Sequence, residues 1–184
     1  LVDQMDRVAY VPQRSQIDWD YPITVWNVVM MARTRPLGWF RNPGRSAKDL
    51  VRTALEQVEM WNLRDRRIGD LSGGQQQRVF LARALAQQAD LFFFDEPFTG
   101  VDARTEDIML RVFDNLRQSG KILLISSHDW GQALHQLDRL LLLNQRLIAD
   151  GAPGQVMTPE NLQKAYGTAL QHRWHGELDA NLFC

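Results

Sequence analysis

The chain has 184 residues, 45% hydrophobic and 23% charged, with a formal net charge of −1, the composition of a globular protein with apolar side chains enough for one well-buried domain. Basic and acidic residues are interspersed, so no nucleic-acid-binding surface or basic membrane anchor is marked. The apolar runs, such as Leu140 to Leu143, are far shorter than the roughly twenty residues of a bilayer crossing. Cys184 has no second cysteine to pair with, which excludes an intramolecular disulfide and fits a reducing compartment.

Val8 to Val11 reads as the end of a strand that leads into Pro12-Gln13. Thr24 can cap a helix through Val25, Val28, Val29 and Ala32, and Ser46 with Asp49 forms a capping box for a second helix reaching Trp61. Trp19, Tyr21, Trp39 and Phe40 suit either an interface or the interior of these helices. In Asp70-Leu71-Ser72-Gly73-Gly74-Gln75-Gln76-Gln77-Arg78, Ser72 is an N-cap and helix formers follow from Gln75 onward. Free N–H groups, the helix dipole and two glycines without Cβ atoms make such a terminus a phosphate site, although Ser-Gly-Gly alone reads first as an ordinary capped helix after a glycine turn. Arg78 and Arg83 on this helix read as exposed or packing side chains.

Leu91 to Phe94 is short, apolar and aromatic, which predicts a strand buried on both faces of a parallel sheet. Its carboxyl end delivers Asp95 and Glu96 to the edge where open α/β sheets bind ligands, and paired acids there suit Mg²⁺ and a water. Asp102 caps a long amphipathic helix with Ile108, Leu110, Val112, Phe113 and Leu116 as apolar members, ending at Ser119-Gly120. Ile122 to Ser126 is the next predicted buried strand. Arg139 to Leu143 and Arg146 to Ala149 form a hairpin-like pair around Asn144-Gln145, and Thr158-Pro159-Glu160 opens a short helix to Tyr166-Gly167. The tail residues His172, His175, Glu177 and Asp179 lack a scaffolded ligand set and read as a frayed terminus rather than a metal site.

Leu71-Ser72-Gly73-Gly74-Gln75 and the strand ending in Asp95-Glu96 together resemble the signature helix and Walker B strand of ATP-binding cassette (ABC) ATPases. Phe98-Thr99-Gly100-Val101-Asp102 resembles the D-loop of that family, Ser126-Ser127-His128-Asp129 its switch-histidine region, and Val11-Pro12-Gln13 its Q-loop, so five elements stand in family order. Asp18-Trp19-Asp20-Tyr21-Pro22 and Thr158-Pro159-Glu160-Asn161-Leu162 are similar to the cassettes of manganese, zinc and iron importers. The resemblance implies an α/β fold, a P-loop NTPase-like parallel sheet core with an inserted helical subdomain. It divides the chain into a helical subdomain over 24–87, a core over 1–23 and 88–150, and a C-terminal helix and tail over 151–184. A Gly-x-x-x-x-Gly-Lys-Ser/Thr phosphate loop is missing from the sequence: Gly38 to Ser46 has the wrong spacing and Arg45 in place of the lysine. The phosphate loop and the first strands are therefore expected before Leu1.

What the resemblance implies is the ATPase subunit of an importer for a divalent metal ion, with ATP and Mg²⁺ as cofactors. Asp95 would hold Mg²⁺ through water, Glu96 would act as general base, Gln13 would reach Mg²⁺ and the attacking water, and His128 would contact the γ-phosphate. Ser72, Gly73, Gly74, Gln75 and Asp102 would complete the ATP site of a second, identical cassette. The implied partners are that second ATPase subunit, integral membrane permease subunits and, indirectly, an extracytoplasmic metal-binding protein. No nucleic acid is implied, and the expected location is peripheral, on the cytoplasmic face of the membrane. Two alternatives stay open: a non-catalytic cassette fragment that only binds partner subunits, and an importer cassette for another substrate. A mechanical ABC protein of DNA repair or translation is disfavoured, because about sixty residues between Gln13 and Leu71 are too few for a long coiled coil.

Overall fold

The computed structural model describes residues 7–13, 21–34, 43–127 and 137–167. The chain divides into two compact units, residues 1–128 and residues 129–184.

In the first unit, three parallel strands form a sheet in the order β1 (Val8–Val11), β2 (Leu91–Asp95), β3 (Ile122–Ser126). Val11 lies opposite Phe94, and Asp95 opposite Ser126. Because the strands run the same way, their carboxyl ends share one edge, which gathers Gln13, Asp95, Glu96 and Ser127 there. Four helices accompany the sheet: α1 (Val25–Met30), α2 (Arg45–Gln57), α3 (Gly73–Gln87) and α4 (Ala103–Gln118). Helix α3 touches α1 and α2 as well as β1 and α4, which explains why so many of its residues are buried, from Gly74 and Val79 to Leu81, Ala82 and Ala86. Gln87 Nε2 donates to the Val8 carbonyl at 2.7 Å and Gln77 Nε2 to the Pro97 carbonyl at 3.3 Å. The helix thus runs along the sheet, with its N-terminus at the carboxyl edge.

The core of this unit is built on Phe92 and Phe94 of β2, with the Phe94 ring 4.5 Å from that of Phe113 on α4. Burying each such ring contributes about 1.5–3 kcal/mol. The reading of β2 and β3 as strands buried on both faces is corrected by the structure. Phe92 and Phe94 are buried, but Leu91 and Phe93 are only half-buried, and Ile122 and Leu124 are 65% and 44% exposed. The reason is that helices cover one face of the sheet, whereas among the described residues nothing comparable covers the face that carries Tyr10, Phe93 and Leu124.

Helix α2 also departs from expectation. Its N-cap is Gly44, not Ser46, and no side chain caps it, so the Ser46–Asp49 capping box does not form. It stops at Gln57 rather than near Trp61 because Glu59 turns left-handed (φ +57°). The Glu59 N–H then bonds to the Glu56 carbonyl at 3.1 Å and the Met60 N–H to the Leu55 carbonyl at 2.8 Å, a Schellman closure sealed by buried Leu55 and Met60. Thr24 caps α1 as expected, accepting from the Asn27 N–H at 3.3 Å. In α4 the buried apolar residues are Ile108, Met109, Val112 and Phe113, so Met109 takes the buried place expected of Leu110.

In the second unit β4 (Leu140–Asn144) and β5 (Arg146–Gly151) form the expected antiparallel hairpin, turning at Gln145 (φ +54°). Arg139 clamps Asp150 through two hydrogen bonds of 2.7 and 2.8 Å. A short helix, α5 (Pro153–Val156), precedes α6 (Pro159–Tyr166), which Thr158 caps. Leu142, Val156 and Leu162 make the small core of this unit.

Candidate functional site

The acid pair is held by the neighbouring strands. Ser126 Oγ donates to Asp95 Oδ1 at 2.6 Å from β3, and the Tyr10 hydroxyl donates to Asp95 Oδ2 at 3.3 Å from β1. Each carboxylate oxygen of Asp95 therefore keeps lone pairs for another partner. Glu96 has φ +49°, a left-handed conformation that costs a non-glycine residue about 1–2 kcal/mol. Its N–H is anchored on β3 by the Ser126 carbonyl at 3.1 Å and Ser126 Oγ at 3.3 Å, and its Oε2 accepts from Thr99 Oγ1 at 3.0 Å. The backbone strain turns the chain out of the sheet at Glu96 and leaves its carboxylate at the mouth of the edge, half-buried.

The N-terminus of α3 is a complete capping box: Ser72 Oγ accepts from the Gln75 N–H at 3.3 Å, and Gln75 Oε1 accepts from the Ser72 N–H at 3.0 Å. The N–H groups of Gly73 and Gly74, at the first two helical positions, are among the N–H groups that the turns of a helix leave unpaired, the kind that suits an anion. Gly74 is also needed inside the protein, since a Cβ there would lie 2.5 Å from both Asp102 Oδ2 and Thr105 Oγ1. Asp102 caps α4 by accepting from the Thr105 N–H at 2.9 Å and Thr105 Oγ1 at 3.0 Å, and these bonds hold its carboxyl below the usual range. The first turns of α3 and α4 are thus locked together, and Gln77 ties the same end of α3 to Pro97, beside Glu96.

Behind the α3 terminus, Arg78 is buried and donates to the Val58 carbonyl at 3.3 Å, while its Nε finds no partner among the described residues. Burial, reinforced by nearby Arg104, pushes its pKa down, against the pull of Glu59 and Asp102. Glu59 accepts from Arg104 at 2.8 Å and Arg111 at 3.0 Å, and the hydrogen bond from Arg104 chiefly holds its carboxyl low. Arg83 lies over the Phe80 ring at 5.7 Å. Both arginines are packing residues, as their place on the helix suggested.

The structure thus brings Gln13, Asp95 and Glu96 to one edge, and the tip of α3 to Asp102. His128 lies outside the described residues, as do Trp19, Trp39, Phe40 and the histidine tail. Sequence reasoning missed Ser126, Tyr10, Gln77, Thr99 and Thr105. A hydroxyl closing the apolar run Ile122 to Ile125 was the legible signal for the first of these.

Asp95, Glu96 and the Gln13 amide offer oxygen donors only, which suits a hard cation such as Mg²⁺. Two acids are too few for a protein-only cage, and among the described residues no group of three or more His, Cys, Asp or Glu could hold an ion. The site fits Mg²⁺ delivered with a polyphosphate rather than a permanently resident metal.

The sequence profile of ABC transporters matches residues 3–99. The chain belongs to the ABC transporter family. Among ABC relatives, it is 53% identical over 177 residues to the zinc transport system ATP-binding protein TroB of Treponema pallidum, covering 96% of this chain and 64% of that protein. It is 49% identical over 160 residues to the manganese transport system ATP-binding protein MntB of Halalkalibacterium halodurans, covering 87% of this chain and 64% of that one. The chain thus spans just under two thirds of the length of these two relatives. A solved metal-chelate type ABC transporter in an inward-facing conformation superposes with a TM-score of 0.77 at 28% identity, over 87% of this chain and 64% of the other. An ABC cassette solved in its ADP conformation gives 0.73 at 20% identity, over 90% of this chain and 70% of the other, a likeness of fold. The parallel α/β sheet is therefore that of the P-loop NTPase-like ABC cassettes. Among the described residues no helix is long and apolar enough to cross a membrane.

Proposed function

We propose that this chain is the hydrolytic part of an ABC importer ATPase that drives uptake of a divalent metal ion, manganese, zinc or iron. The observation that carries the proposal is the strained, double-anchored Asp95-Glu96 pair on the carboxyl edge beside Gln13. The printed names of the zinc and manganese relatives support the cargo class. Residues 24–87 act as the helical subdomain, 1–23 and 88–150 belong to the core, and 151–184 form the C-terminal helix and tail.

Phosphoryl transfer is catalysed by positioning and charge stabilisation more than by covalent chemistry. Bound Mg²⁺ would supply charge neutralisation between the phosphates. Asp95, with both oxygens oriented by hydroxyls, is placed to hold the ion through water. Glu96, turned out of the sheet and steadied by Thr99, accepts the proton of the attacking water, for which a carboxylate within hydrogen-bond reach is the required group. Gln13 orients that water, and His128 donates to a γ-phosphate oxygen. Ser72, Gly73, Gly74 and Gln75 present N–H and side-chain donors to the nucleotide held by the phosphate loop of a second cassette, with Asp102 fixing their position. The subunit works with integral membrane permease subunits on the cytoplasmic face of the membrane, and with an extracytoplasmic metal-binding protein beyond them.

The test is ATP-driven uptake of Mn²⁺, Zn²⁺ and Fe²⁺ by vesicles carrying the complete subunit and its permease. Uptake of at least one of these ions, nearly abolished by Glu96→Gln with ATP binding intact, is expected. Steady turnover by Glu96→Gln would sink the assignment of the base, and uptake of none of the three ions would sink the cargo.

A further inference from the structure

Ser126, the last residue of β3, bonds to both residues of the acid pair. Its residue lies directly opposite Asp95 in the parallel register. Its Oγ accepts from the Glu96 N–H at 3.3 Å and donates to Asp95 Oδ1 at 2.6 Å, while its carbonyl accepts from the same Glu96 N–H at 3.1 Å. The hydroxyl proton is committed to Asp95, so the polarity runs in one direction: Glu96 N–H to Ser126 Oγ, Ser126 O–H to Asp95. A bond of 2.6 Å from a hydroxyl to a carboxylate is in the charge-assisted range, and a donor that itself accepts a hydrogen bond is polarised to donate more strongly.

The neighbours explain why this link matters. The second hydroxyl on Asp95, from Tyr10, sits at 3.3 Å on a side chain that is 51% exposed, and so restrains the carboxylate weakly. Glu96 is in a left-handed conformation that local sequence opposes, all the more because the residue before a proline prefers extended backbone. Its N–H bonds to Ser126 are what fix that turn on β3. Apolar side chains fill β3 up to Ile125, and an apolar residue at 126 would satisfy the strand equally well while leaving Asp95 Oδ1 without this donor.

We infer that Ser126 is a positioning residue whose hydroxyl sets the rotamer of Asp95 and, beside its own carbonyl, helps hold the backbone turn of Glu96, aligning the Mg²⁺-holding acid with the acid that receives the proton. This rests on the proposed roles of those two acids. It is separable from them, because it concerns a group that bonds to the two acids rather than either acid itself.

The experiment compares Ser126→Thr and Ser126→Val in the complete protein, since these side chains have nearly the same shape and differ in the hydroxyl. Ser126→Val should lower kcat about tenfold or more, the scale of a lost hydrogen bond to a charged group, with KM for ATP within about twofold; Ser126→Thr should restore most of the turnover. Binding of Mn²⁺ in the presence of ADP, followed by electron paramagnetic resonance, should weaken about tenfold in Val and little in Thr, while the two variants unfold at the same temperature. Equal kcat and equal Mn²⁺ affinity in Thr and Val would overturn the inference, as would a Val defect confined to KM. Turnover by Glu96→Gln would instead overturn the underlying assignment, whatever the Ser126 variants do.

Discussion

Gly74→Ala tests whether the tip of α3 is indexed to α4 by contact. The new Cβ would lie 2.5 Å from Asp102 Oδ2 and from Thr105 Oγ1, and 3.3 Å from Thr105 Cβ, where about 3.5–4 Å is comfortable. Asp102 and Thr105 are bonded to each other at 2.9 and 3.0 Å, so they cannot step aside independently. Moving the carboxylate breaks the N-cap of α4, which costs about 0.5–2 kcal/mol, and the residual crowding costs about 1–3 kcal/mol. Opposing this, alanine gains at most about 1 kcal/mol over glycine in a helix. The balance is a net loss of about 0.5–4 kcal/mol, read as a lower urea midpoint at unchanged slope in the complete protein. Asp102→Ser keeps a capping hydroxyl on a shorter side chain and should return about 1 kcal/mol of the loss when combined with Gly74→Ala. A Gly74→Ala protein as stable as the parent, with no coupling to Asp102→Ser, refutes the contact.

Two further outcomes are expected. Asp102, Asp90 and Glu59 all sit below the usual carboxylate range, through hydrogen bonds chiefly from the Thr105 N–H, from Lys121 and Arg7, and from Arg104 respectively. Depressed folded-state values mean that their stabilisation is fully present above the unfolded value near pH 4 and is lost as pH falls through the folded values. Urea midpoints should hold steady from about pH 7 to 5 and drop below about pH 4, less steeply in Asp90→Asn, and a flat acid limb would contradict this. The 184-residue chain by itself should bind Mg-ATP only in the millimolar range, because the absent phosphate loop forgoes several charge-assisted bonds worth about 1.5–3 kcal/mol each; calorimetry showing micromolar binding would reveal a phosphate site elsewhere in these residues.

The parts of the fold legible in the sequence were those set by local chemistry. Val8–Val11, Leu91–Asp95 and Ile122–Ser126 form strands where apolar runs predicted them, and Ser72, Thr24, Asp102 and Thr158 cap their helices. What stayed hidden lay where a residue without special propensity adopts an unusual backbone. Glu59 ends α2 and Glu96 turns the chain at the site, both with positive φ, a role that sequence assigns by default to glycine. Ser46 lost its cap to Gly44, a residue equally able to take the extended N-cap conformation. Burial of the sheet failed as a prediction because apolar strands state what they require and not what covers them. The role of Ser126 was invisible because it depends on register: only the pairing of β2 with β3 sets its hydroxyl opposite Asp95.

The segment from Gln76 to Arg78 looks, in one dimension, like an extension of the phosphate-binding tip. Yet all three side chains are buried, and each donates to the main-chain carbonyl of a different segment: Gln76 to Ile68, Gln77 to Pro97, Arg78 to Val58. A mutational scan scored by transport alone would mark these positions as essential beside Ser72, although losing any of them strands a polar group in the interior and depletes folded protein. Activity normalised to the amount of folded subunit separates the two kinds of loss, and it should shrink the chemically indispensable part of this motif to Ser72, the two glycines that follow it and Gln75.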